Sequence, residues 1–430
     1  MIDYTTALER LLAPIDKGPM ETCALRDAPG RVLAKHVSSA IALPSFDHAA
    51  MDGYALSAST PLMAGSEHAV HSSQAAGDAP RRAELGDDGQ GACEIMTGAS
   101  LPEGLDAVVA VERTECLAAR PDGTPVRIRL LDAVHTGDNV RYAGSDVALG
   151  APVLAAGARI QSRHIMLLAA LGIATVDVVA QPRVAIICTG KELQSDASKP
   201  LVAERIHNSN GPYLVAALTA AGANVLSCET VDDTAVTYAD ALQRAVDAGA
   251  ELVISTGAVS MGRYDFVPET LRRFNAQLLF HKVAMRPGKP LLGAKLEDGP
   301  LIIALPGTPM AVAAGLRFFV APALRKMIGQ NREPSLHAIL DTPQQPKAGL
   351  RHFLRASLHQ ATDGQLHAAV SSHQQPFRIR PFADADVWVV LPEDAGSCPA
   401  GTRVQVVSLE PGSSLRISPM HPMPADGDIR

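Results

Sequence analysis

The 430-residue chain has no basic excess, no long apolar run and no cysteine pattern, and each absence removes a class. Its formal charge of -7 leaves no electrostatic footprint for nucleic acid. The longest apolar run, Ile165 to Val176, is too short to span a bilayer and meets Asp177. The opening residues, Met1-Ile2-Asp3-Tyr4-Thr5, lack the basic-then-apolar order of a secretory signal. Six cysteines (Cys23, Cys93, Cys116, Cys188, Cys228 and Cys398) show no CxxC spacing and read as reduced thiols. Fourteen histidines make no HExxH pair, so local spacing gives a zinc site little support. No Ser–His–Asp order or activated cysteine emerges, and Cys188 reads as a core residue at a strand end. A cytoplasmic enzyme with neither nucleic-acid nor membrane partners is the expectation.

The remaining composition is that of an ordinary globular protein. Apolar residues make up 47% and charged residues 19%, enough to bury several cores. The length suits roughly three domains of ~150 residues. Residues 1–22 predict a helix capped by Thr5 or Thr6, with Leu8, Leu11 and Leu12 on one face. Residues 23–136 read as short strands punctuated by Pro80, Gly86, Asp87-Asp88-Gly89 and Pro121-Asp122-Gly123. Residues 137–180 return to a helical stretch at Ser162 to Leu171. From 181 to 332, strands near 184–188, 225–228, 251–255, 278–284 and 301–305 alternate with helices. Those helices are expected from Asn210-Gly211-Pro212, over Asp240 to Ala248 and over Pro309 to Met327. This alternation predicts a parallel sheet covered on both faces. Residues 333–410 carry short, closely spaced strands that fit a small β-barrel or sandwich. Residues 411–430, rich in Pro, Ser and Gly, read as a disordered tail.

Three central strands run straight into small-residue loops: Val184 to Gly190, Leu252 to Gly257 and Leu301 to Gly307. Their continuous apolar runs read as strands buried on both faces. Ligands of open α/β sheets bind beyond such carboxyl ends, so an anion or nucleotide site is expected there. Glu192 and Asp265 follow two of these loops and point to a metal ion; a first-turn glutamate favoured by the helix dipole is the bland reading of Glu192. Asp232-Asp233 either supplies carboxylates for Mg²⁺ or caps a helix, the cap being the better reading of Asp233. The loop from Ser255 to Asp265 offers two glycines, three hydroxyls and a carboxylate. Arg286-Pro287-Gly288-Lys289-Pro290 sets two cations on a rigid turn, and Pro306-Gly307-Thr308-Pro309 opens a helix whose amides suit an anion. Upstream, Asp52 before Gly53 either holds a cation or merely belongs to a turn.

Together these motifs resemble the molybdopterin molybdenumtransferase family, the bacterial MoeA family that includes the gephyrin E-domain. The resemblance runs colinearly from about residue 4 to 410. It rests on FDHAAMDGYA (46–55), IMTGA (95–99), PEGLDAVV (102–109), GSDV (144–147), CTGKEL (188–193), STGAVSMGRYD (255–265), RPGKP (286–290) and LPGTP (305–309). It implies a homodimer of four-domain subunits. A discontinuous helical linker domain (1–22 and 137–180) carries an inserted β-rich domain (23–136). A molybdopterin-binding α/β domain (181–332) and a C-terminal β-barrel (333–410) follow. The implied reaction inserts molybdate into adenylylated molybdopterin, with Mg²⁺ as cofactor, and releases AMP. The implied partners are the molybdopterin adenylyltransferase and acceptor molybdoenzymes.

Carried over position by position, the catalytic residues are Asp52, Thr97, Asp146, Glu192, Asp232, Asp265 and Lys289. Thr189, Gly190, Ser255, Gly257, Ser260, Arg286, Pro306, Gly307 and Pro309 would bind the pterin nucleotide. Glu192 and Asp265 would hold Mg²⁺. The implied site lies between the α/β domain of one subunit and the inserted domain of the other. This chain departs from the family pattern at Lys191 (an aspartate elsewhere), Arg286 (lysine), Thr308 (asparagine), Ala311 (serine), Asp386 (asparagine) and the barrel segment Arg378 to Phe382. Two other readings stand beside the transferase: a non-catalytic pterin-nucleotide-binding scaffold, and a tungstate-handling relative.

Overall fold

The computed structural model describes residues 1–86, 91–259, 266–331, 333–412 and 417. The 183–189, 252–256 and 301–305 strands lie side by side in a six-stranded sheet, in the order 224–231, 183–189, 252–256, 301–305, 292–295, 277–281. The first four strands are parallel. The apolar runs bury on both faces as their composition requires: Val184, Ile186, Ile254 and Ile303 pack with Leu11, Leu214, Leu218 and Phe319. Ala185, Ile187, Val253 and Ile302 pack with Tyr238, Leu242, Val267 and Leu271 on the other side.

The expected all-parallel sheet is corrected at one edge. Leu292–Lys295 is a strand the sequence reading lacked, and it runs antiparallel to both Leu301–Leu305 and Gln277–His281. Its links are residues 282–291 on one side and 296–300 on the other, both shorter than the dozen or more residues that a parallel crossover needs. A further helix, Val267–Arg273, was also not foreseen.

Helix ends shift for similarly local reasons. The first helix is Tyr4–Leu12, and its cap is Asp3 rather than Thr5 or Thr6. Asp3 accepts from the Thr6 amide at 2.8 Å and the Thr6 hydroxyl at 2.7 Å. The helix expected from Asp240 spans Ala235–Asp247 and is capped by Thr234, not Asp233. The stretch from Pro309 to Met327 is helical throughout but contains a π-turn at Leu316–Val320. Pro322 follows at once, and a proline there lacks the amide that a regular helix would use.

After residue 333 the strands close into a barrel rather than a sandwich. Val387–Leu391 pairs with both Arg403–Ser408 and Arg351–Gln360, completing a five-stranded ring with Leu336–Leu340 and Leu366–Val370. A short extra strand, Met285–Arg286, leaves the α/β unit and pairs with Arg351 and His352 on the barrel. The RPGKP turn is therefore tied to both units.

Toward the N-terminus, a separate six-stranded sheet runs 107–110, 53–56, 92–95, 67–74, 125–130, 114–119. Gly53 is required there because a Cβ would stand 1.9 Å from the Val109 carbonyl oxygen of the neighbouring strand. The chain enters and leaves through paired ribbons, Met20–Ala24 with Thr175–Val179 and His48–Ala49 with Val140–Arg141. Ser162–Ala170 packs beside the first ribbon through Leu168, Val176 and Val178. All six cysteines are unpaired. Among the described residues, no helix is long and apolar enough to cross a membrane. Most of the segment expected to form a tail, residues 413–416 and 418–430, lies outside the described residues.

Candidate active site

Because the 183–189, 252–256 and 301–305 strands are adjacent and parallel, their carboxyl ends share one sheet edge. The loops there are nested by hydrogen bonds. The Thr189 hydroxyl donates to the Thr256 carbonyl at 3.1 Å, Gly257 N–H to Leu305 at 3.0 Å and Gly190 N–H to Val231 at 3.1 Å. Gly257 has φ +95°, and a Cβ on it would lie 2.5 Å from the Thr189 hydroxyl. Gly307 lies beside Gly257, and the Asn210 side-chain amide donates to its carbonyl at 2.8 Å. Asn210 was read only as a helix start; the brace to Gly307 had no local signal, since the two lie far apart in the chain.

Two expected binding hydroxyls are used inside the protein. Thr189 is buried and ties two strand ends. Ser255 is fully buried, and its oxygen accepts from the Tyr238 hydroxyl at 3.3 Å, within the core. Both support the loops from beneath. Gly190, Gly257 and Gly307 instead bring backbone to the edge without side chains.

Carboxylates gather at the outer end of this crevice. Glu192 is exposed, and its two oxygens lie 2.9 Å from where a Gly190 Cβ would stand, so the carboxylate folds back over the loop. Asp232, also exposed, ends the adjacent 224–231 strand; its carbonyl accepts from Thr234 N–H at 2.7 Å and the Thr237 hydroxyl at 2.8 Å. Hard carboxylate oxygens beside open backbone suit Mg²⁺, which takes one or two protein carboxylates and fills its shell with water and phosphate. Ser260 and Asp265 lie outside the described residues.

Cations and prolines gather at the other end. Arg286 and Lys289 are exposed on their turn, which rests against the 309–315 helix: a Cβ on Gly288 would lie 3.8 Å from the Ala311 carbonyl. Pro306 and Gly307 lead into that helix, with Pro309 at its first turn. Met310 N–H donates to the Pro376 carbonyl of a barrel loop at 3.0 Å. Burial, and then the charge of Arg286, hold the His352 imidazole below its ordinary value. The barrel loop is itself clamped by Arg355, which is 1% exposed. Arg355 donates to the carbonyls of His373 at 2.6 Å and Arg378 at 2.8 Å. Nothing in the local sequence around Arg355 signals this clamp. Asp386, one of the departures, is also buried, and accepts from the Leu358 amide at 3.0 Å.

Asp52, Thr97 and Asp146 form a second group. Asp52 accepts from the Thr97 amide at 2.7 Å and the Thr97 hydroxyl at 2.8 Å. Asp146 sits on a turn held by the 43–47 segment: Asp146 N–H donates to Leu43, and the Asp47 carboxylate accepts from Ala143. These hydrogen bonds all stay within the N-terminal unit. The two Thr97 donors, the amide first, hold the Asp52 carboxyl below its usual 3.8. Whatever Asp52 contributes to stability is thus present above that value and is lost as pH falls through the depressed one. Thr97→Val removes the hydroxyl donor only, so an NMR titration should show the Asp52 pKa rise toward, but not reach, the ordinary aspartate value. No change would mean that the hydroxyl does not engage Asp52 in solution.

Known proteins with this organisation can now be compared. The family described as "MoeA N-terminal region (domain I and II)" matches residues 2–172. "Probable molybdopterin binding domain" matches 185–326, and "MoeA C-terminal region (domain IV)" matches 337–409. The molybdopterin molybdenumtransferase of Synechococcus elongatus is 32% identical over 95% of this chain and 100% of its own length. That of Bacillus subtilis is 34% identical over 94% of each. A solved structure, the molybdopterin biosynthesis MoeA protein of Pyrococcus horikoshii, superposes with a TM-score of 0.77 at 27% identity, covering 94% of this chain and 99% of that one. With all three regions matched in order along nearly its whole length, the chain belongs to the MoeA family.

Proposed function

We propose that this chain is a molybdopterin molybdenumtransferase, inserting molybdate into adenylylated molybdopterin with release of AMP. The observation that carries the reading is the single sheet edge where Gly257 and Gly307 leave backbone accessible between Glu192 and Asp232 at one end and Arg286 and Lys289 at the other. Such an edge fits an elongated anionic substrate. Lys289 and Arg286 would neutralise oxyanion charge, and the small loops would admit phosphate close to backbone amides. Glu192 and Asp232 would hold Mg²⁺, with Asp265 as a further ligand; when bound, the ion neutralises charge on the phosphates of the bond to AMP. Relatives 31–35% identical carry the same activity in their names, and a cytoplasmic setting suits a pathway of soluble intermediates. The test is reconstitution. An apo-molybdoenzyme supplied with adenylylated molybdopterin, molybdate and Mg²⁺ should become active only when this chain is present. Failure to activate any acceptor at saturating molybdate counts against the reading.

The site is proposed to form between two subunits, with Asp52, Thr97 and Asp146 reaching the crevice of the other copy. The separation of the two residue groups supports this, since the hydrogen bonds of the first stay within its own unit. Mixing is decisive. If Asp52→Asn and Glu192→Gln subunits, each inactive, are co-assembled, one cleft of each mixed dimer is intact, and about a quarter of parental activity should return. Activity that never returns means that each subunit supplies its own complete site.

Lys191 places a cation next to the metal-binding carboxylate. At ~4 Å and surface-like screening, such a contact is worth on the order of a few kcal/mol at most. The chain is therefore expected to need more Mg²⁺ than relatives carrying aspartate there. Lys191→Asp should lower the Mg²⁺ concentration for half-maximal AMP release; an unchanged dependence would place the ammonium away from the ion.

A further inference from the structure

We propose that one end of the C-terminal barrel holds a divalent transition-metal ion of the zinc type on Asp341, His359 and His367. No local spacing motif joins these residues, and the pairing of consecutive barrel strands brings them together. His359 and His367 face each other in register on the antiparallel strands Arg351–Gln360 and Leu366–Val370. Asp341 follows Leu336–Leu340, and its amide donates to the Ala368 carbonyl at 3.2 Å, which fixes it beside His367.

The two imidazoles converge on one carboxylate. Nδ1 of His367 lies 2.9 Å from Asp341 Oδ1, and Nε2 of His359 lies 3.5 Å from Asp341 Oδ2. One donor atom from each residue falls within 4.8 Å of the others, and the rings stand 5.6 Å apart at 39°. A hydrogen-bonded Asp–His pair explains one histidine at such a carboxylate. It does not explain a second ring aimed at the remaining oxygen. Zinc bound to imidazole nitrogen and carboxylate oxygen at about 2.0–2.2 Å brings its ligands to roughly 3.2–3.5 Å of one another, reachable here by side-chain rotation. Asp341, His359 and His367 retain 27%, 19% and 23% side-chain exposure, so an ion and a fourth, water ligand have access. Asp363 interacts electrostatically with His367 and adds negative charge nearby. Imidazole with carboxylate favours zinc and its first-row neighbours over Mg²⁺, which prefers oxygen alone.

This site is separate from the crevice. Arg286 pairs beside His352, and His359 lies seven residues further along the same strand, about 23 Å at ~3.3 Å per residue. Its three ligands come from three barrel strands or their ends, so a bound ion would cross-link the barrel.

The experiment uses the full-length chain freed of metal by chelator, then titrated with Zn²⁺ by calorimetry and with Co²⁺ by visible absorption. The expected result is one ion per chain with a Kd in the micromolar range or below. Co²⁺ should show ligand-field bands without thiolate charge transfer, and the thermal midpoint should rise with Zn²⁺. Asp341→Asn, His359→Gln and His367→Gln should each weaken Zn²⁺ binding at least about tenfold. Circular dichroism confirms that each is folded, and any one folded variant suffices. The proposal is overturned by the absence of stoichiometric binding, by undiminished affinity in the folded variants, or by a thiolate band, which would assign the ion to cysteines.

Discussion

Glu192→Gln is expected to lower AMP release about 10²–10³-fold, with the fold and thermal midpoint unchanged. The substitution keeps shape and removes only charge. Glu192 is exposed, and the backbone bond it makes, its carbonyl accepting from Ile206 at 2.8 Å, does not involve the side chain. Stability therefore has little to lose. Its carboxylate, however, folds over Gly190 at the edge of the crevice, where a hard cation and the nucleotide phosphates would meet. A neutral amide there cannot offset a divalent charge, so the loss should be greatest at low Mg²⁺ and partly relieved at high Mg²⁺. Rates that match the parent at limiting Mg²⁺ would remove Glu192 from the site.

Arg355→Ala is expected to cost about 3–6 kcal/mol, from two charge-assisted hydrogen bonds each worth about 1.5–3 kcal/mol. Arg355 lies on the outer face of the barrel, covered by the 373–378 loop to 1% exposure, and its guanidinium satisfies the carbonyls of His373 and Arg378. Alanine leaves those acceptors without donors and opens a cavity. The consequence reaches the active site, because the clamped loop presents the Pro376 carbonyl to Met310 at the start of the 309–315 helix. Denaturant unfolding of the full chain should show an earlier barrel transition, and the KM for adenylylated molybdopterin should rise. An unchanged transition would mean that the loop holds its shape by other contacts.

Most of the architecture was legible because its cause is local. Val184 to Cys188, Leu252 to Ile254 and Leu301 to Leu305 are uninterrupted apolar runs, and only strands covered on both faces tolerate them. The barrel strands were likewise visible as short, closely spaced segments, though barrel and sandwich were not told apart. Leu292–Lys295 was missed because LGAK has neither length nor pattern, and its place is set by the strands either side of it. The caps at Asp3 and Thr234 moved by one to three residues, within reach of any nearby short polar side chain.

The site was legible in type but not in detail. Glycine loops at strand ends announce an edge site, and Glu192, Asp232, Arg286 and Lys289 stand around it. Sequence alone did not show that the Thr189 and Ser255 hydroxyls are buried and bonded within the protein. The role of Arg355 and the pairing of His359 with His367 were invisible for another reason: each depends on how the chain folds back, the first on a loop 18–23 residues on and the second on the register of two consecutive strands.

The central claim is that the crevice performs chemistry rather than only holding a pterin nucleotide. AMP release from adenylylated molybdopterin, measured by rapid quench with and without molybdate at fixed Mg²⁺, tests this most directly. AMP should form in proportion to molybdenum-molybdopterin, dependent on Mg²⁺ and stimulated by molybdate. Tight binding of adenylylated molybdopterin with no AMP released under any of these conditions would contradict it.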